Sequence, residues 1–409
     1  MRYRLKKLRV LNDANLMGIF KKFKSLAANR RELDTLGIDP FGVQIDRIIS
    51  PTEGLINGRH TILAGTNNYL GLTFDPECIA AARTALEFEG TGTTGSRMAN
   101  GSYSGHRKLE QELAEFYGKR DAIVFSTGYA ANLGLLAALA GPNDVVLLDA
   151  DCHASIYDGC RLGGAETIRF RHNNAQDLAK RMRRLGARAA NALIVVEGIY
   201  SMLGDCAPLK EIANVKRELG GYLLVDEAHS LGVLGEHGRG LVEEVDVLAD
   251  ADFIVGTFSK SLGSAGGFCV SDHIELDLIR YSSRPFIFTA SPSPATIAST
   301  RCALRKLSTD SHLRQRLHDN ARRLHAGLTA LGYTLGAPPS PVIAVVLEGK
   351  IEALKFWNNL LQRGVYVNLM LPPVTPNGVS LIRCSVSAAH TPEQIDAVCE
   401  AFAELRAVA

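Results

Sequence analysis

The stretch that decides the fold covers residues 255–263 and reads Val255-Gly256-Thr257-Phe258-Ser259-Lys260-Ser261-Leu262-Gly263. The apolar run from Phe253 to Val255 predicts a buried strand, and small hydroxyl residues and a lysine follow its carboxyl end. Lysine is rarely buried, and a desolvated lysine amine loses its proton readily, as an amine nucleophile or Schiff base requires. Taken alone, the pattern also fits a surface lysine in a loop, so its interpretation depends on the residues at the ends of the other strands.

Short apolar runs and helical stretches alternate along the chain before this lysine. The runs typical of buried strands are 122–125, 145–148, 167–168, 193–196, 222–225 and 253–255. Between most of them lie stretches with helical periodicity, at 132–139, 175–185 and 209–219. This alternation predicts an α/β fold with a large, mainly parallel sheet covered on both faces. Ligands of such sheets bind at the carboxyl ends of the strands.

The regions on either side of this alternation differ from it. Residues 45–63 carry turn residues between alternating patterns, which predicts short antiparallel strands. After about residue 288, two long helical stretches (294–307 and 311–331) precede the strand patterns 342–347, 365–369 and 381–384 and a last helix from Pro392. We therefore predict a basic N-terminal arm or helix (1–45), a large α/β domain (46–290) and a smaller C-terminal α+β domain (291–409).

The first 31 residues are strongly basic, with ten lysines and arginines against a single acid, Asp13. Apolar residues recur among them at helical spacing, namely Leu16, Ile19, Phe20, Phe23 and Leu26. We interpret this region as an amphipathic helix that packs on its own chain or on a partner subunit. Peripheral contact with an anionic membrane is the alternative.

Composition excludes several classes of protein. The 409 residues are 46% hydrophobic and 22% charged, as in globular proteins, and the net charge of +2 argues against a nucleic-acid-binding role. Eight scattered cysteines without a C-x-x-C pair indicate reduced thiols and predict neither a zinc site nor a disulfide framework. The apolar runs are too short for a membrane span, and no signal peptide is recognisable, so we expect a cytoplasmic protein.

Polar groups that fit one another lie after four of the predicted strands. Ser126–Asn132 forms a glycine turn that opens a helix, and such helix starts bind anions. The other three ends carry His153, then Asp226 with His229, and then Thr257, Ser259 and Lys260. Each motif alone has an ordinary structural explanation, such as a helix cap or a scaffold histidine. Together they suit a phosphorylated heteroaromatic aldehyde, with the lysine forming the imine.

The same motifs resemble a known family. Asp226-Glu-Ala-His229 followed by Gly256-Thr-Phe-Ser-Lys260 is similar to the signature of fold-type I pyridoxal-phosphate enzymes, and specifically of the α-oxoamine synthases. Further similar segments lie at 67–71, 153–159, 197–202, Arg383 and 389–391, so the resemblance runs from about residue 40 to the end. It implies the aspartate-aminotransferase-like fold, pyridoxal 5'-phosphate as cofactor, no metal, and a homodimer with active sites at the subunit interface.

The resemblance also implies roles for individual residues. Lys260 would hold the cofactor as an imine and then take the Cα proton of the substrate, while Asp226 would pair with the ring nitrogen. His229 would bind the phenolic oxygen of the ring, and His153 would stack on it. The residues implied in phosphate binding are Gly128, Tyr129, Thr257 and Ser259, with Thr289 from the partner subunit. The residues implied in substrate binding are Arg383, Asn67, Asn68 and Ser96.

Within the family, four segments resemble the soluble bacterial serine palmitoyltransferases, at 90–97, 151–160, 284–291 and 372–376. The implied reaction joins L-serine to a long-chain acyl-CoA such as palmitoyl-CoA and releases CoA and CO2, the first step of sphingolipid synthesis. One position departs from the pattern, because Leu371 stands where those enzymes have an arginine before Pro-Pro-x-Thr-Pro. Arg383 would then hold the substrate carboxylate without that arginine, and the choice of amino acid stays open.

Three alternative functions compete with this one. The nearest is another α-oxoamine synthase that uses glycine, alanine or an acyl-carrier-protein thioester. A regulatory or lipid-binding protein of the same fold would have no use for Lys260. A P-loop ATPase is suggested by the glycine spacing of 90–97, but the P-loop lysine is missing and a helix rather than a strand precedes this segment.

Overall fold

The N-terminal part of the chain forms a small sheet. In this computed structural model, which describes residues 17–372 and 375–407, a 3-10 helix (Gly18–Phe23) leads into α1 (Lys24–Leu36). Three antiparallel strands follow, β1 (Ile45–Ser50), β2 (Glu53–Ile56) and β3 (Arg59–Leu63). The turn residues of 45–63 thus give the short antiparallel strands that the sequence predicts.

The central feature is a seven-stranded sheet. Its strands are β4 (Asp121–Phe125), β5 (Val145–Asp149), β6 (Glu166–Phe170), β7 (Leu193–Glu197), β8 (Tyr222–Asp226), β9 (Phe253–Thr257) and β10 (Gly267–Ser271). Their spatial order is β4-β10-β9-β8-β7-β5-β6, and only β10 runs antiparallel to its neighbours. The sequence pattern did not predict β10. Its five apolar and small residues follow a glycine-rich turn, and so short a run marks neither a strand nor its direction.

Helices connect these strands and cover both faces of the sheet. They are α2 (Pro76–Glu89), α3 (Ser104–Tyr117), α4 (Gly128–Leu139), α5 (Ala154–Gly163), α6 (Ala175–Leu185), α7 (Leu209–Leu219), α8 (Leu241–Glu244), α9 (Leu276–Ser282) and α10 (Arg284–Ile287). Alternate residues of β4 belong to different cores: Val124 lies in the core that includes residues of α3, α6 and α7, and Ile123 in the core that includes residues of α4, α5 and α9. This two-sided burial confirms the predicted mainly parallel, doubly covered sheet.

The C-terminal part contains α11 (Pro294–Thr309), α12 (Ser311–Ala330), β11 (Val342–Leu347), α13 (Lys350–Gln362), β12 (Val365–Tyr366), β13 (Asn368–Met370), β14 (Ser380–Ser385) and α14 (Pro392–Arg406). The antiparallel order β11-β14-β13 forms a third sheet. The sequence predicts one strand over 365–369, but the chain changes sheets at Val367. There Trp357 donates to the Val367 carbonyl at 2.8 Å, and β12 pairs with β3 instead.

Packing ties the N-terminal strands to the C-terminal sheet. Ile56 and Leu63 share a hydrophobic core with residues of α12, α13, β14 and α14, whereas α11 and the start of α12 pack into the core of the large sheet. Strand pairing and burial therefore cross both sequence-based boundaries. The division at 45/46 and 290/291 stays a prediction.

The predicted amphipathic helix was expected to pack on its own chain or on a partner subunit, and the described residues test only the first of these. Ile19, Phe20 and Leu26 are 77%, 54% and 60% exposed, so these side chains do not pack on the body of their own chain. In α1 the buried residues are Ala27 and Leu33. Leu16 and the basic residues up to Arg9 lie outside the described residues. No helix in the described part of the chain is long and apolar enough to cross a membrane.

Candidate active site

Lys260 lies in the loop after β9, at the carboxyl edge of the large sheet, as the sequence predicts. Its side chain is half-buried in a cavity of about 270 Å³. Burial lowers the pKa of its amine, and this effect outweighs the nearby carboxylates of Asp226 and Glu197, which raise it. The site therefore makes it easier for the amine to lose its proton and reach the neutral form, which acts as a nucleophile or proton acceptor.

Asp226 ends β8 beside the lysine and is held by two donors. The Asn132 side chain of α4 donates from Nδ2 to Asp226 Oδ2 at 2.6 Å, and the Ala228 amide donates to Oδ1 at 2.9 Å. Asn132 Nδ2 also lies 3.0 Å from the Ser155 hydroxyl. Because Asp226 and Asn132 are almost fully buried, this geometry fixes the carboxylate in one orientation within the cavity.

His153 caps α5 on the other side of the cavity. Its Nδ1 lies 2.7 Å from Ser155 Oγ and accepts from the Ser155 amide at 3.3 Å. Burial lowers the pKa of His153, which favours the neutral ring. The fully buried Glu197 side chain accepts from the His153 amide, and burial together with the Asp226 carboxylate raises the pKa of Glu197. The ring of His153 is therefore fixed by its own helix and by the end of β7.

A hydrogen-bonded series leads from the cavity to Arg383. His229 Nδ1 lies 2.7 Å from the Tyr69 hydroxyl, and the Asn67 side-chain oxygen lies 3.4 Å from that hydroxyl. Arg383 Nη2 donates to the same Asn67 oxygen at 3.2 Å, and Nη1 donates to the Ser201 carbonyl at 2.8 Å. Arg383 Nε is buried and has no partner among the described residues. This guanidinium retains donor capacity for an anion.

The end of the cavity at the start of α4 is lined by hydrogen-bond donors. Helix α4 begins at Gly128, and the first amides of a helix have no intrahelical acceptor. The hydroxyls of Thr257 and Ser259 lie 2.9 Å apart beside this helix start. Gly267 of β10 allows the close approach, because a Cβ there would lie 2.5 Å from the Thr127 carbonyl oxygen and 2.6 Å from Gly128 Cα. Free amides, hydroxyls and the positive helix end suit a phosphate group.

The structure brings most predicted residues together but not all of them. Gly128, Tyr129, His153, Asp226, His229, Thr257, Ser259 and Lys260 all line the cavity. The remaining predicted residues, Asn67, Asn68, Ser96, Thr289 and Arg383, do not line it. The hydroxyl of Tyr129 donates to Asp158, so only its backbone amide is available for a phosphate.

The predicted residues outside the cavity have definite surroundings. Asn68 is buried and donates to the Thr73 hydroxyl at 2.8 Å, which turns it away from Arg383. Ser96 pairs with Ala290 in an isolated bridge, so the 90–97 segment lies beside the Thr289 segment. Thr289 itself is exposed. Leu371 is half-buried against the C-terminal core, where it contributes packing.

Three residues of the site were not predicted as site residues from the sequence, namely Asn132, Glu197 and Tyr69. Tyr69 lies beside the predicted Asn67 and Asn68, and Glu197 directly follows a predicted strand, so the position at a strand end was an available signal. Asn132 lies one turn into α4, where a polar residue in an apolar helix was a weaker signal.

The structure of the 90–97 segment excludes a P-loop. The segment follows α2 rather than a strand, and Arg97 is buried in an ion pair with Glu110, at 2.9 Å from Nη1 to Oε1.

Asp75, Cys78 and Cys302 form a separate group whose possible metal-ligand atoms lie within 4.8 Å of one another. There the Asp75 carboxylate already accepts two amides and pairs with Lys306 at 3.0 Å. The lysine cation opposes a metal ion at this position.

The donor set of the cavity fits a phosphorylated pyridine aldehyde, with an anion site at one end, a fixed carboxylate and a lysine amine whose pKa is lowered by burial. Comparison with known proteins agrees with this fit, because residues 59–402 match the family described as aminotransferase class I and II. The chain belongs to the aminotransferase class I and II family.

Relatives within this aminotransferase class I and II family are close in sequence and structure. The serine palmitoyltransferase of Caulobacter vibrioides (strain NA1000 / CB15N) is 59% identical over 96% of this chain and 97% of the relative. A solved serine palmitoyltransferase from Sphingomonas wittichii has a TM-score of 0.93 at 50% identity, over 96% of this chain and 100% of that one. A solved serine palmitoyltransferase from S. paucimobilis, with a bound pyridoxal-phosphate–myriocin aldimine, has a TM-score of 0.94 at 49% identity, with the same coverage of both chains.

Proposed function

We propose that this chain is a pyridoxal-phosphate-dependent serine palmitoyltransferase. It condenses L-serine with a long-chain acyl-CoA to give 3-ketodihydrosphingosine, CoA and CO2, the first step of sphingolipid synthesis. The observation that carries the proposal is the convergence of Lys260, the Asp226–Asn132 pair, His153 and the α4 helix start on one cavity. The similarity to serine palmitoyltransferases over nearly the full chain supports the choice of reaction.

Pyridoxal phosphate, when bound, supplies an electron-withdrawing ring that stabilises negative charge at the Cα of an amino acid. The α4 helix start, Thr257 and Ser259 would hold its phosphate. Asp226, fixed by Asn132, would keep the ring nitrogen protonated. His229 would bind the phenolic oxygen, and the neutral ring of His153 would lie against the face of the cofactor.

The chain's own residues then bind the substrate and move protons. Arg383 holds the serine carboxylate with the donors that Asn67 and Ser201 leave free. The Lys260 amine, whose pKa is lowered by burial, accepts the Cα proton of serine. A bond forms between this Cα and the thioester carbonyl carbon while the carbon–sulfur bond breaks and CoA leaves. The bond from Cα to the carboxylate then breaks and CO2 leaves, and the electron pair left at Cα takes back the proton held by Lys260. The CoA thiolate takes a proton from water.

The test monitors the absorbance of the purified protein with pyridoxal phosphate during addition of L-serine, glycine and L-alanine, and then measures thiol release from palmitoyl-CoA. We expect a spectral response to serine and CoA release that depends on serine. Lys260→Ala should release no CoA, whereas Lys350→Ala, which removes a surface ion pair with Glu32, should match the wild type. A Lys260→Ala variant with the wild-type rate contradicts the assignment.

The three amino acids also test the alternative within the family. Leu371 contributes packing rather than charge, so in this proposal the carboxylate depends on Arg383. We expect serine to be preferred. Turnover with glycine or alanine but not with serine would favour another α-oxoamine synthase.

We also propose that two copies form a homodimer and that Thr289 completes the phosphate site of the partner subunit. Thr289 is exposed, and its neighbour Phe288 is 71% exposed, which leaves this segment available to a second copy. Light scattering of the purified protein should give twice the mass of 44.2 kDa. A cytoplasmic location remains a prediction. Peripheral membrane contact through Ile19, Phe20 and the neighbouring lysines is a second prediction, which co-sedimentation with anionic vesicles would test.

A further inference from the structure

A polar cluster centred on His172 lies at the carboxyl ends of β5 and β6. His172 follows β6, and its ring is half-buried between two carboxylates. Its Nδ1 lies 2.7 Å from Asp149 Oδ1, and its Nε2 lies 2.8 Å from Asp205 Oδ2. Tyr200 packs edge-on against the ring, with centroids 4.5 Å apart. An imidazole that faces acceptors with both nitrogens satisfies them only when it carries both protons.

The electrostatics agree with this geometry. Burial alone would lower the pKa of His172, but the hydrogen bonds with Asp149 and Asp205 outweigh burial and raise it to about 10. Asp151 adds a third carboxylate, 3.8 Å from Nδ1. His172 is therefore a cation at neutral pH, bridging carboxylates that would otherwise repel one another.

The two bridged carboxylates belong to loops that carry site residues. Asp149 ends β5, four residues before His153. Its carboxylate accepts a hydrogen bond from the Asp151 amide at 2.9 Å. Asp205 lies in the 198–207 loop, which is closed by bonds from the Tyr200 amide to the Asp205 carbonyl and from the Gly204 amide to the Tyr200 carbonyl. This second loop contains Ser201.

The 198–207 loop reaches the C-terminal sheet. Gly204 has a φ of +83°, and a Cβ at this position would overlap the Val342 carbonyl oxygen of β11. The Ser201 carbonyl accepts from Arg383 Nη1 at 2.8 Å. The position of the guanidinium is thus linked through Ser201 and Asp205 to His172.

We propose that His172 is a positioning residue that clamps the 198–207 loop and thereby orients Arg383 toward the carboxylate of the amino-acid substrate. The inference rests on the proposed function, because it assigns the anion at Arg383 to L-serine. His172 does not line the cavity, so in this proposal it acts through Arg383.

The test measures the dissociation constant for L-serine by its spectral response, together with kcat and the KM for each substrate. His172→Gln removes the cation, and Asp205→Asn removes one of its partners with little change in shape. We expect each variant to weaken L-serine binding about tenfold, the loss typical of a charge-assisted hydrogen bond. The KM for palmitoyl-CoA and the affinity for pyridoxal phosphate should change less than about twofold. His325→Gln, which removes a bond to a backbone carbonyl in the C-terminal part, is the matched control.

A double variant separates clamping from general destabilisation. If the two residues act as one unit, the combined loss in His172→Gln/Asp205→Asn will be smaller than the product of the single losses. Wild-type serine affinity in both single variants, or equal losses for serine, palmitoyl-CoA and the cofactor, would overturn the inference while leaving the proposed function intact. A wild-type protein that does not respond to L-serine would remove the proposed function and the inference together.

Discussion

Asn132→Ala tests whether the orientation of Asp226 limits the reaction. The substitution removes the donor 2.6 Å from Asp226 Oδ2, while the Ala228 amide still holds Oδ1. A buried hydrogen bond to a charged group contributes about 1.5–3 kcal/mol, which corresponds to about 10- to 150-fold in rate if the whole loss falls on the transition state. We therefore expect kcat/KM for L-serine to fall within that range, as measured by thiol release.

Two further variants sharpen this prediction. Asn132→Asp keeps the size of the side chain but places a second carboxylate against Asp226, so its loss should exceed that of Asn132→Ala. Asn214→Ala removes an exposed asparagine that accepts from Arg217 at 2.8 Å, and it should keep wild-type kcat/KM. If Asn132→Ala also keeps wild-type kcat/KM with cofactor bound, the Asn132–Asp226 bond does not support catalysis.

The geometry supports three other predictions. Arg383→Lys keeps the charge but loses the forked donors, so kcat/KM for L-serine should fall at least about tenfold in steady-state assays; an unchanged value would contradict carboxylate binding there. Gly267→Ala pushes a Cβ against backbone of the α4 start, so cofactor affinity and the melting temperature should both fall, and an unaffected cofactor titration would be inconsistent with the proposed phosphate site. Burial lowers the pKa of His390 to about 4, so the unfolded chain binds the extra proton between about pH 6.5 and 4 and stability is lost as the pH falls through this window. Urea unfolding of His390→Gln should show a weaker loss over that window than the wild type, and equal losses would show that His390 does not contribute.

The active-site residues that the sequence predicted best are those at the ends of buried strands. Asp226, Thr257 and Lys260 lie at the ends of β8 and β9, and parallel strands bring their carboxyl ends to one edge. Residues recruited from other elements were harder to predict. Asn132 of α4 acts by holding Asp226, and sequence spacing does not show which side chains a buried carboxylate will contact.

The hydrophobic pattern predicted where strands lie along the chain better than it predicted which strands pair with one another. The single strand predicted at 365–369 splits between two sheets because Val367 is held by Trp357, a contact between residues on different elements. Helical periodicity among residues 16–26 predicted an apolar face but not its neighbour, and on this chain Ile19, Phe20 and Leu26 are exposed, so packing on a partner subunit stays a prediction.

The sequence by itself determined the alternation of helices and strands, the lysine stretch at 255–263 and the set of polar strand ends, because hydrophobic periodicity and local chemistry are properties of nearby residues. Only the tertiary structure decided that β10 runs antiparallel, that Asn68 turns to Thr73, and that burial lowers the pKa of Lys260. These outcomes depend on burial and on contacts between residues far apart in the chain. The other strand ends and the family resemblance assigned Lys260 a role from sequence, and the structure adds its place in a cavity beside Asp226.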